Sequence, residues 1–413
     1  MSINPRKDTE IERFLKLEAQ RQKETINLIA AENYASRAVL EAQGSMLTNK
    51  YAEGYPQHRY YAGCTNVDAI ESLAIDRAKT LFKAEYANVQ PHSGSQANMA
   101  AYFACLEPGD KVMGMSLSHG GHLTHGAPAN FSGKWYKFIA YGLDPKTERL
   151  DYDDIEKLAV KHRPKVIVSG ASAYPRIIDF QRFRKIADAA GAILVADMAH
   201  LAGLVATSLH PSPVPHAQII TSSTHKTLRG PRSGFILCKQ EFAAKIDSAV
   251  FPAMQGGPLM HAVAAKAIAF YEAMQPEFVT YQKAVLENAR VLAAELQHNG
   301  LRLISGGTDN HLILVDLTST GITGLAAQEA LENAGILVNR NSIPGETRSP
   351  QITSGIRVGT PAITTRGFGS KEMKQIASFI LNVLSDPEDK KIQKEIAEQA
   401  TAICRRFPAP GID

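Results

Sequence analysis

"AILVADMAHLAGLVATSLHPSPVPHAQIITSSTHK", residues 192–226, contains the pattern that decides the fold. Two short apolar runs, "AILVAD" and "QIITSS", each end in polar residues. Similar runs, "DKVMGMS" and "KVIVSG", lie upstream. Amphipathic helical patterns such as "DYDDIEKLAVKH" and "FQRFRKIADAAG" fall between several of these runs. Strand runs alternating with helices predict an α/β fold, with a large domain built on a mainly parallel sheet covered by helices. Such sheets bind ligands at the carboxyl ends of their strands. That places weight on Asp197, which ends the first run, and on Lys226, just beyond the second.

The pattern changes around Met274–Pro276. A long helical stretch, "EFVTYQKAVLENARVLAAELQHNG", is followed by mixed strand and helix signals, "HLILVDL", "GLAAQEALENAG", "GIRVGT" and "MKQIASFILNVL". We therefore expect an N-terminal helical arm over 1–27, a large domain over 28–275 and a smaller α+β domain over 276–413. The chain has 413 residues, 44% hydrophobic and 21% charged, as expected of a soluble protein with a sizeable core. Its net charge of +4 is too small to argue for nucleic acid, and none is required as a partner. The four cysteines, Cys64, Cys105, Cys238 and Cys404, form no C-x-x-C pair and read as reduced thiols of a cytoplasmic protein. The polar start lacks an apolar signal core, and no apolar run is long enough for a membrane span.

Within "TSSTHKTLRGPRSG", Lys226 lies among hydroxyls, His225, arginines and glycines. A capping Asp and an unrelated Lys would explain Asp197 and Lys226. So would a pyridoxal phosphate site, in which the lysine forms a Schiff base and the carboxylate keeps the ring nitrogen protonated. In "HSGSQAN", Ser93, Gly94 and Ser95 form either an ordinary helix cap or a phosphate cradle. His119, His122 and His125 recur at spacing three, but intervening glycines break a helix and no carboxylate joins them. An imidazole stacked on a cofactor ring fits better than a metal site, and no metal is expected. "KYAEGYPQHRYYAGC" gathers tyrosines around Glu53. It reads as an interface segment or as an acid/base carboxylate with phenolic donors, and the two coexist if the site lies on a dimer interface. Arg357, in a strand of the small domain, is a surface charge or a fork for a substrate carboxylate.

Together with "GASAYPR", "DMAHLAGL", "QGGP", "GTDNHL" and "SGIRVGTPA", these motifs make the sequence resemble the serine hydroxymethyltransferase family from about Leu28 to Phe368. The resemblance implies the aspartate-aminotransferase-like fold, with a seven-stranded type of sheet. It also implies a cytoplasmic homodimer with shared active sites and two small-molecule cosubstrates, serine and tetrahydrofolate. Lys226 would carry the pyridoxal 5'-phosphate. Asp197 would pair with the ring nitrogen, His122 would stack on the ring, and Ser172 and His200 would contact its polar edge. Ser93, Gly94 and Ser95 would hold the phosphate, joined by Tyr51 and Gly257 from the neighbouring subunit. Arg357 and Tyr61 would bind the substrate carboxylate. Glu53, from the other subunit, would manage protons at the hydroxymethyl group, and His225 matches a specificity position. Leu117, Gly121, His122, Leu123, Asn341, Ser349, Pro350 and Gln351 fall where folate is expected.

Three positions depart from the family pattern. Ala31 stands where serine is usual, Gln351 where phenylalanine is frequent, and Ser222 and Ser223 where threonines are usual. Ala31 motivates an alternative, an enzyme acting on an α-substituted serine such as α-methylserine, as transferase or aldolase. A non-catalytic RNA-binding or scaffold descendant is the rival from another class; the intact set of Lys226, Asp197, Arg357 and Glu53 argues against it.

Overall fold

The computed structural model describes residues 8–412, so the first seven residues of the expected arm and Asp413 lie outside it. Seven strands form the main sheet: β1 (Tyr86–Asn88), β2 (Lys111–Met115), β3 (Lys137–Tyr141), β4 (Val166–Ser169), β5 (Ile193–Asp197), β6 (Ile219–Ser223) and β7 (Gly234–Cys238). Their order is β1-β7-β6-β5-β4-β2-β3. Only β7 runs against its neighbours, β1 and β6; the remaining pairings are parallel. Every residue of β4, β6 and β7 is buried, which is why these strands read as continuous apolar or small-residue runs rather than alternating ones.

The helices on the sheet are specified locally. Helix α4 (Tyr152–His162) starts where the Asp151 carboxylate accepts from the Asp153 and Asp154 amides, and it ends with Lys161 and His162 in its last turn. Acid at the first turn and base at the last both suit the helix dipole. Helix α5 (Phe180–Ala190) is capped by Asp179 and buries Phe180, Phe183, Ile186, Ala187 and Ala190, one stripe at helical spacing. It stops at Gly191, whose φ of 69° is the left-handed conformation glycine adopts without steric cost.

Helix α7 (Pro276–His298) starts on a proline and joins two cores. Phe278 and Leu286 pack in the core of the main sheet, whereas Leu292, Ala293 and Leu296 pack in a second core. That second core is built on an antiparallel sheet of β8 (Arg302–Leu303), β9 (Leu312–Asp316), β10 (Asn339–Asn341) and β11 (Gly355–Gly359), ordered β8-β9-β11-β10. Helices α8 (Gly324–Asn333), α9 (Ser370–Ser385) and α10 (Lys390–Arg406) contribute to it. The N-terminal segment joins this second core rather than the first. Ile26 and Asn27 pair in parallel with Ile336 and Leu337, and Ile26 and Leu28 are fully buried there. The preceding helix, α1 (Thr9–Glu24), buries no residue and exposes Ile11, Phe14, Leu15 and Leu17. Among the described residues, no helix is long and apolar enough to cross a membrane.

Arg366 fastens the two ends of the chain together. It is buried, and its guanidinium donates to the carbonyls of Gln22, Lys23, Thr25, Cys404 and Phe407. The segment it anchors leads straight into Ile29, Ala31 and Glu32, which line the cavity described below. Arg366→Met strands these carbonyls and is expected to destabilise the protein by about 3–5 kcal/mol. Urea unfolding measures this; an unchanged midpoint would show that water satisfies the carbonyls instead.

Candidate functional site

A cavity of about 580 Å3 opens at the carboxyl ends of the parallel strands and is bounded on the other side by residues of the second, antiparallel sheet. This volume suits a drug-sized ligand. Much of the lining comes from strand exits. Ser93–Ser95 follow β1, Leu117–Leu123 follow β2, Ser172 follows β4, Asp197 ends β5, and His225 and Lys226 follow β6. Asp197 and Thr221 are register partners, so Asp197 and Lys226 reach the same edge from adjacent strands. Arg357 enters from β11, and Asn341 ends β10.

Asp197 is the best-supported group in the cavity. Its Oδ2 accepts from Asn98 Nδ2 at 2.8 Å and from His125 Nε2 at 3.1 Å, and its Oδ1 accepts from the Ala199 amide at 3.0 Å. His125 Nδ1 accepts from the His122 amide, which leaves Nε2 as the nitrogen that carries the proton toward Asp197. Burial alone would raise the carboxyl. The His125 bond, the neighbouring imidazoles and the Asn98 amide outweigh it and hold Asp197 well below the usual carboxylate range. The His122 ring lines the cavity, with Nδ1 2.7 Å from Thr124 Oγ1, and burial lowers it to about 4. His200 stacks on His311 with centroids 5.5 Å apart; burial first, then nearby cations, keeps both rings neutral. His225 is lowered to about 3, chiefly by burial.

Lys226 is recessed in protein yet open to the cavity. Burial brings it down to about 8, with Asp197 opposing and Arg357 and Arg232 assisting. The hydroxyls around it have duties other than holding a ligand. Thr221 donates to Asn98, Ser222 to the Ser223 carbonyl, Thr224 to the Pro231 carbonyl and Thr227 to the His200 carbonyl. Ser223 Oγ, which lies beside the cradle, and His225 Nδ1 are buried without a partner. The glycines of this stretch serve close packing. A Cβ on Gly234 would lie 2.3 Å from the Ser93 carbonyl oxygen, and one on Gly230 would lie 2.8 Å from Ala269 Cβ. Of the two arginines, Arg229 stacks on Tyr281 at 4.7 Å, and Arg232 lines the cavity.

Helix α3 (Gly94–Phe103) aims its N-terminus at the cavity. Ser93 caps it by accepting from the Gln96 amide at 3.2 Å, so the cap reading holds, and Ser93–Ser95 also line the cavity. Arg357 donates through Nη1 to the Ser172 carbonyl at 2.5 Å and through Nε to Asn339 at 3.1 Å. Nη2 and the second Nη1 hydrogen remain for a carboxylate. Burial lowers Arg357 to about 10, which leaves it charged at neutral pH.

The folate expectation divides. Leu117, Gly121, His122, Leu123, Asn341 and Pro350 line the cavity, whereas Ser349 and Gln351 do not; Gln351 is exposed. Tyr51, Glu53, Tyr61 and Gly257 form a separate cluster outside the cavity of their own chain. The Tyr51 hydroxyl lies 3.2 Å from Glu53 Oε1, the Tyr51 and Tyr61 rings meet at 4.9 Å, and Gly257 packs beneath Tyr51. Tyr51 and Tyr61 are about half exposed. Asn98, His125, His311, Arg232 and Arg340 were not assigned roles from sequence. His125 stood beside an assigned histidine, but nothing in the spacing indicates which ring faces the cavity and which lies beneath Asp197.

A family model described as serine hydroxymethyltransferase matches residues 5–380. A protein of Dehalococcoides mccartyi strain 195 named serine hydroxymethyltransferase is 62% identical over 414 residues, covering 100% of both chains. The protein of that name from strain CBDB1 is 61% identical over the same span.

Lowering of Lys226 to about 8 makes a prediction for protein free of added ligand. The neutral amine grows in as pH rises through about 8, well below the ordinary lysine range. Reductive methylation of Lys226 should therefore rise most steeply between about pH 7 and 9, while exposed lysines respond above about 10. Peptide mass spectrometry resolves the two; a Lys226 profile matching exposed lysines would refute the electrostatic account.

Proposed function

The chain belongs to the serine hydroxymethyltransferase family, and with it to the transferases; from that premise we propose how its residues carry out the reaction. The reaction is the reversible transfer of the serine hydroxymethyl carbon to tetrahydrofolate, giving glycine and 5,10-methylenetetrahydrofolate. The observation that carries the reading is the recessed Lys226 amine beside an ionised Asp197 at one sheet edge.

The residues present fit pyridoxal phosphate. A helix N-terminus with Ser93–Ser95, together with the unpartnered Ser223 Oγ, suits a phosphate, and a carboxylate held anionic suits a protonated ring nitrogen. When bound, that cofactor supplies an aldehyde carbon that condenses with amines and a ring that draws electrons from the α-carbon. Lys226 provides an amine that loses its proton more readily than an ordinary lysine. Asp197 fixes negative charge at the cavity floor, and His122 presents a neutral, flat ring. His200 and Ser172 stand at the polar edge, and His225 beside Lys226 is a neutral base. Arg357 orients the substrate carboxylate through Nη2. Leu117 and Leu123, each about half exposed, give the mouth an apolar lip for a flat aromatic cosubstrate. A cytoplasmic setting fits the four free cysteines.

The missing acid/base is Glu53, and a homodimer supplies it. The exposed apolar face of α1, Met46 (78% exposed) and Tyr60 (76% exposed) favour such an interface. In the homodimer, Tyr51, Glu53, Tyr61 and Gly257 of each chain complete the other chain's cavity, with Glu53 moving the proton of the substrate hydroxyl. Lys226→Arg removes the reactive amine and should abolish turnover. Glu53→Gln should slow serine cleavage by ~10²–10⁴-fold while sparing glycine binding. A dimer pairing one of each mutant chain regains one intact site and therefore activity. Verified hybrids without any would exclude the shared site.

Ala31 favours a second reading. It lines the cavity with no hydroxyl to assist Arg357, which leaves room near the substrate α-carbon for a methyl group. Ala31→Ser should tighten serine binding roughly tenfold, an added hydrogen bond to a charged group contributing about 1.5 kcal/mol or more. It should also slow α-methylserine turnover. Steady-state kinetics on both substrates decides; no change in either would remove support for an α-substituted serine as the natural substrate.

A further inference from the structure

The shared site leaves a question about the cluster that each chain lends. Glu53 must be placed accurately in a cavity its own chain does not form. The described hydrogen bonds that hold it lead back to that chain's own cradle, through a side chain that touches neither ligand.

Resting on the shared-site reading, we propose that Gln90 is a positioning residue that couples each protomer's Ser93–Ser95 cradle to the 51–61 hairpin it lends to the other protomer. Gln90 is fully buried between β1 and the cradle. Its side-chain Nε2 donates to the Gly54 carbonyl at 2.9 Å and to Glu71 Oε1 at 2.7 Å. Glu71, also fully buried, accepts from Arg59 Nη2 at 2.6 Å. Arg59 Nη1 in turn donates to the carbonyls of Ala52 and Gly54, each at 2.8 Å, so the residues on both sides of Glu53 are held.

The backbone of the same residue serves the other end. The Gln90 carbonyl accepts from Gln255 Nε2 at 3.0 Å, and Gln255 Oε1 accepts from the His92 amide at 3.1 Å. Gln255 therefore ties the stretch leading to Gly257 to the residue before Ser93. On the opposite side, the buried Lys266 of α6 (Met260–Ala273) donates to the carbonyls of Val89, Pro91 and Gly234. Segment 89–92 thus has little slack. A shift of the cradle moves Gly54 and Gln255 with it, or it leaves buried donors unpaired, which is the costlier outcome. Occupancy of one cavity in this way sets the position of Glu53 in the other.

Hybrid dimers test the coupling. Pairing a Lys226→Arg chain with a Glu53→Gln chain leaves one intact site, with its cradle on the second chain and its hairpin on the first. Gln90→Met is nearly isosteric and leaves Gly54 and Glu71 their Arg59 bonds. Placed on the hairpin-lending chain, it should lower kcat about fivefold at unchanged pyridoxal phosphate affinity; placed on the cradle chain, it should raise the dissociation constant for pyridoxal phosphate about fivefold. Cofactor-free Gln90→Met homodimers should also show faster amide exchange over 51–61. An effect from only one placement would overturn the coupling, since Gln90 would then serve one end alone. An inactive parent hybrid, before any change at Gln90, would instead overturn the shared-site reading beneath it. If Gln90→Met does not yield folded dimer, Gln255→Met cuts the second link and is placed in the same two ways, with the same outcomes deciding.

Discussion

An ionised carboxylate withdrawn from water is stable only where hydrogen bonds replace its hydration, and Asp197 meets that condition from three directions. Asn98 comes from the cradle helix, His125 from the loop after β2, and the Ala199 amide from its own chain just downstream. The three supports belong to different strand exits, so the carboxylate keeps its charge only if β1, β2 and β5 end at the same level. Asn98 also accepts from Thr221 on β6, which extends the constraint to the strand leading to Lys226. The parallel register brings these supports to one level, while burial, against the pull of Asp197, keeps the His122 ring neutral and lowers the ammonium of Lys226.

The parts of the fold that announced themselves were those with one periodicity over enough length. "AILVAD", "KVIVSG" and the stripe of Phe180, Phe183 and Ile186 needed no context. In the main sheet, the strands that escaped notice were β1, only three residues long, and β3, an edge strand whose "KFIAY" is mostly part-exposed. β7 escaped for another reason. "GFILC" is fully buried, but it follows the glycine- and arginine-containing turn that drew attention as a ligand loop.

In the site, charged and reactive side chains at strand exits were legible because the topology rule says where such residues point. Neutral amides and hydroxyls were not. Asn98 and Gln90 carry no charge and no motif, and only the folded chain shows what they hold. The hydroxyls of "TSST" are mainly internal donors, which the sequence does not reveal. Gly257 could be grouped with Tyr51 and Glu53 only through resemblance, since their clustering depends on a hairpin meeting the distant "QGGP" turn.

The pairing of Ile26 and Asn27 with Ile336 and Leu337 has a consequence for biosynthesis. A ribosome releases the N-terminal segment long before the residues that bury it. The main sheet, complete by Cys238, can form while Ile26 and Leu28 still lack their apolar partners from α8, α9 and α10. The cavity wall carrying Ile29, Ala31 and Glu32 is therefore the last to be seated, closing a loop of nearly the whole chain. Until then the main sheet stands without the wall that Ile29, Ala31 and Glu32 contribute to the cavity.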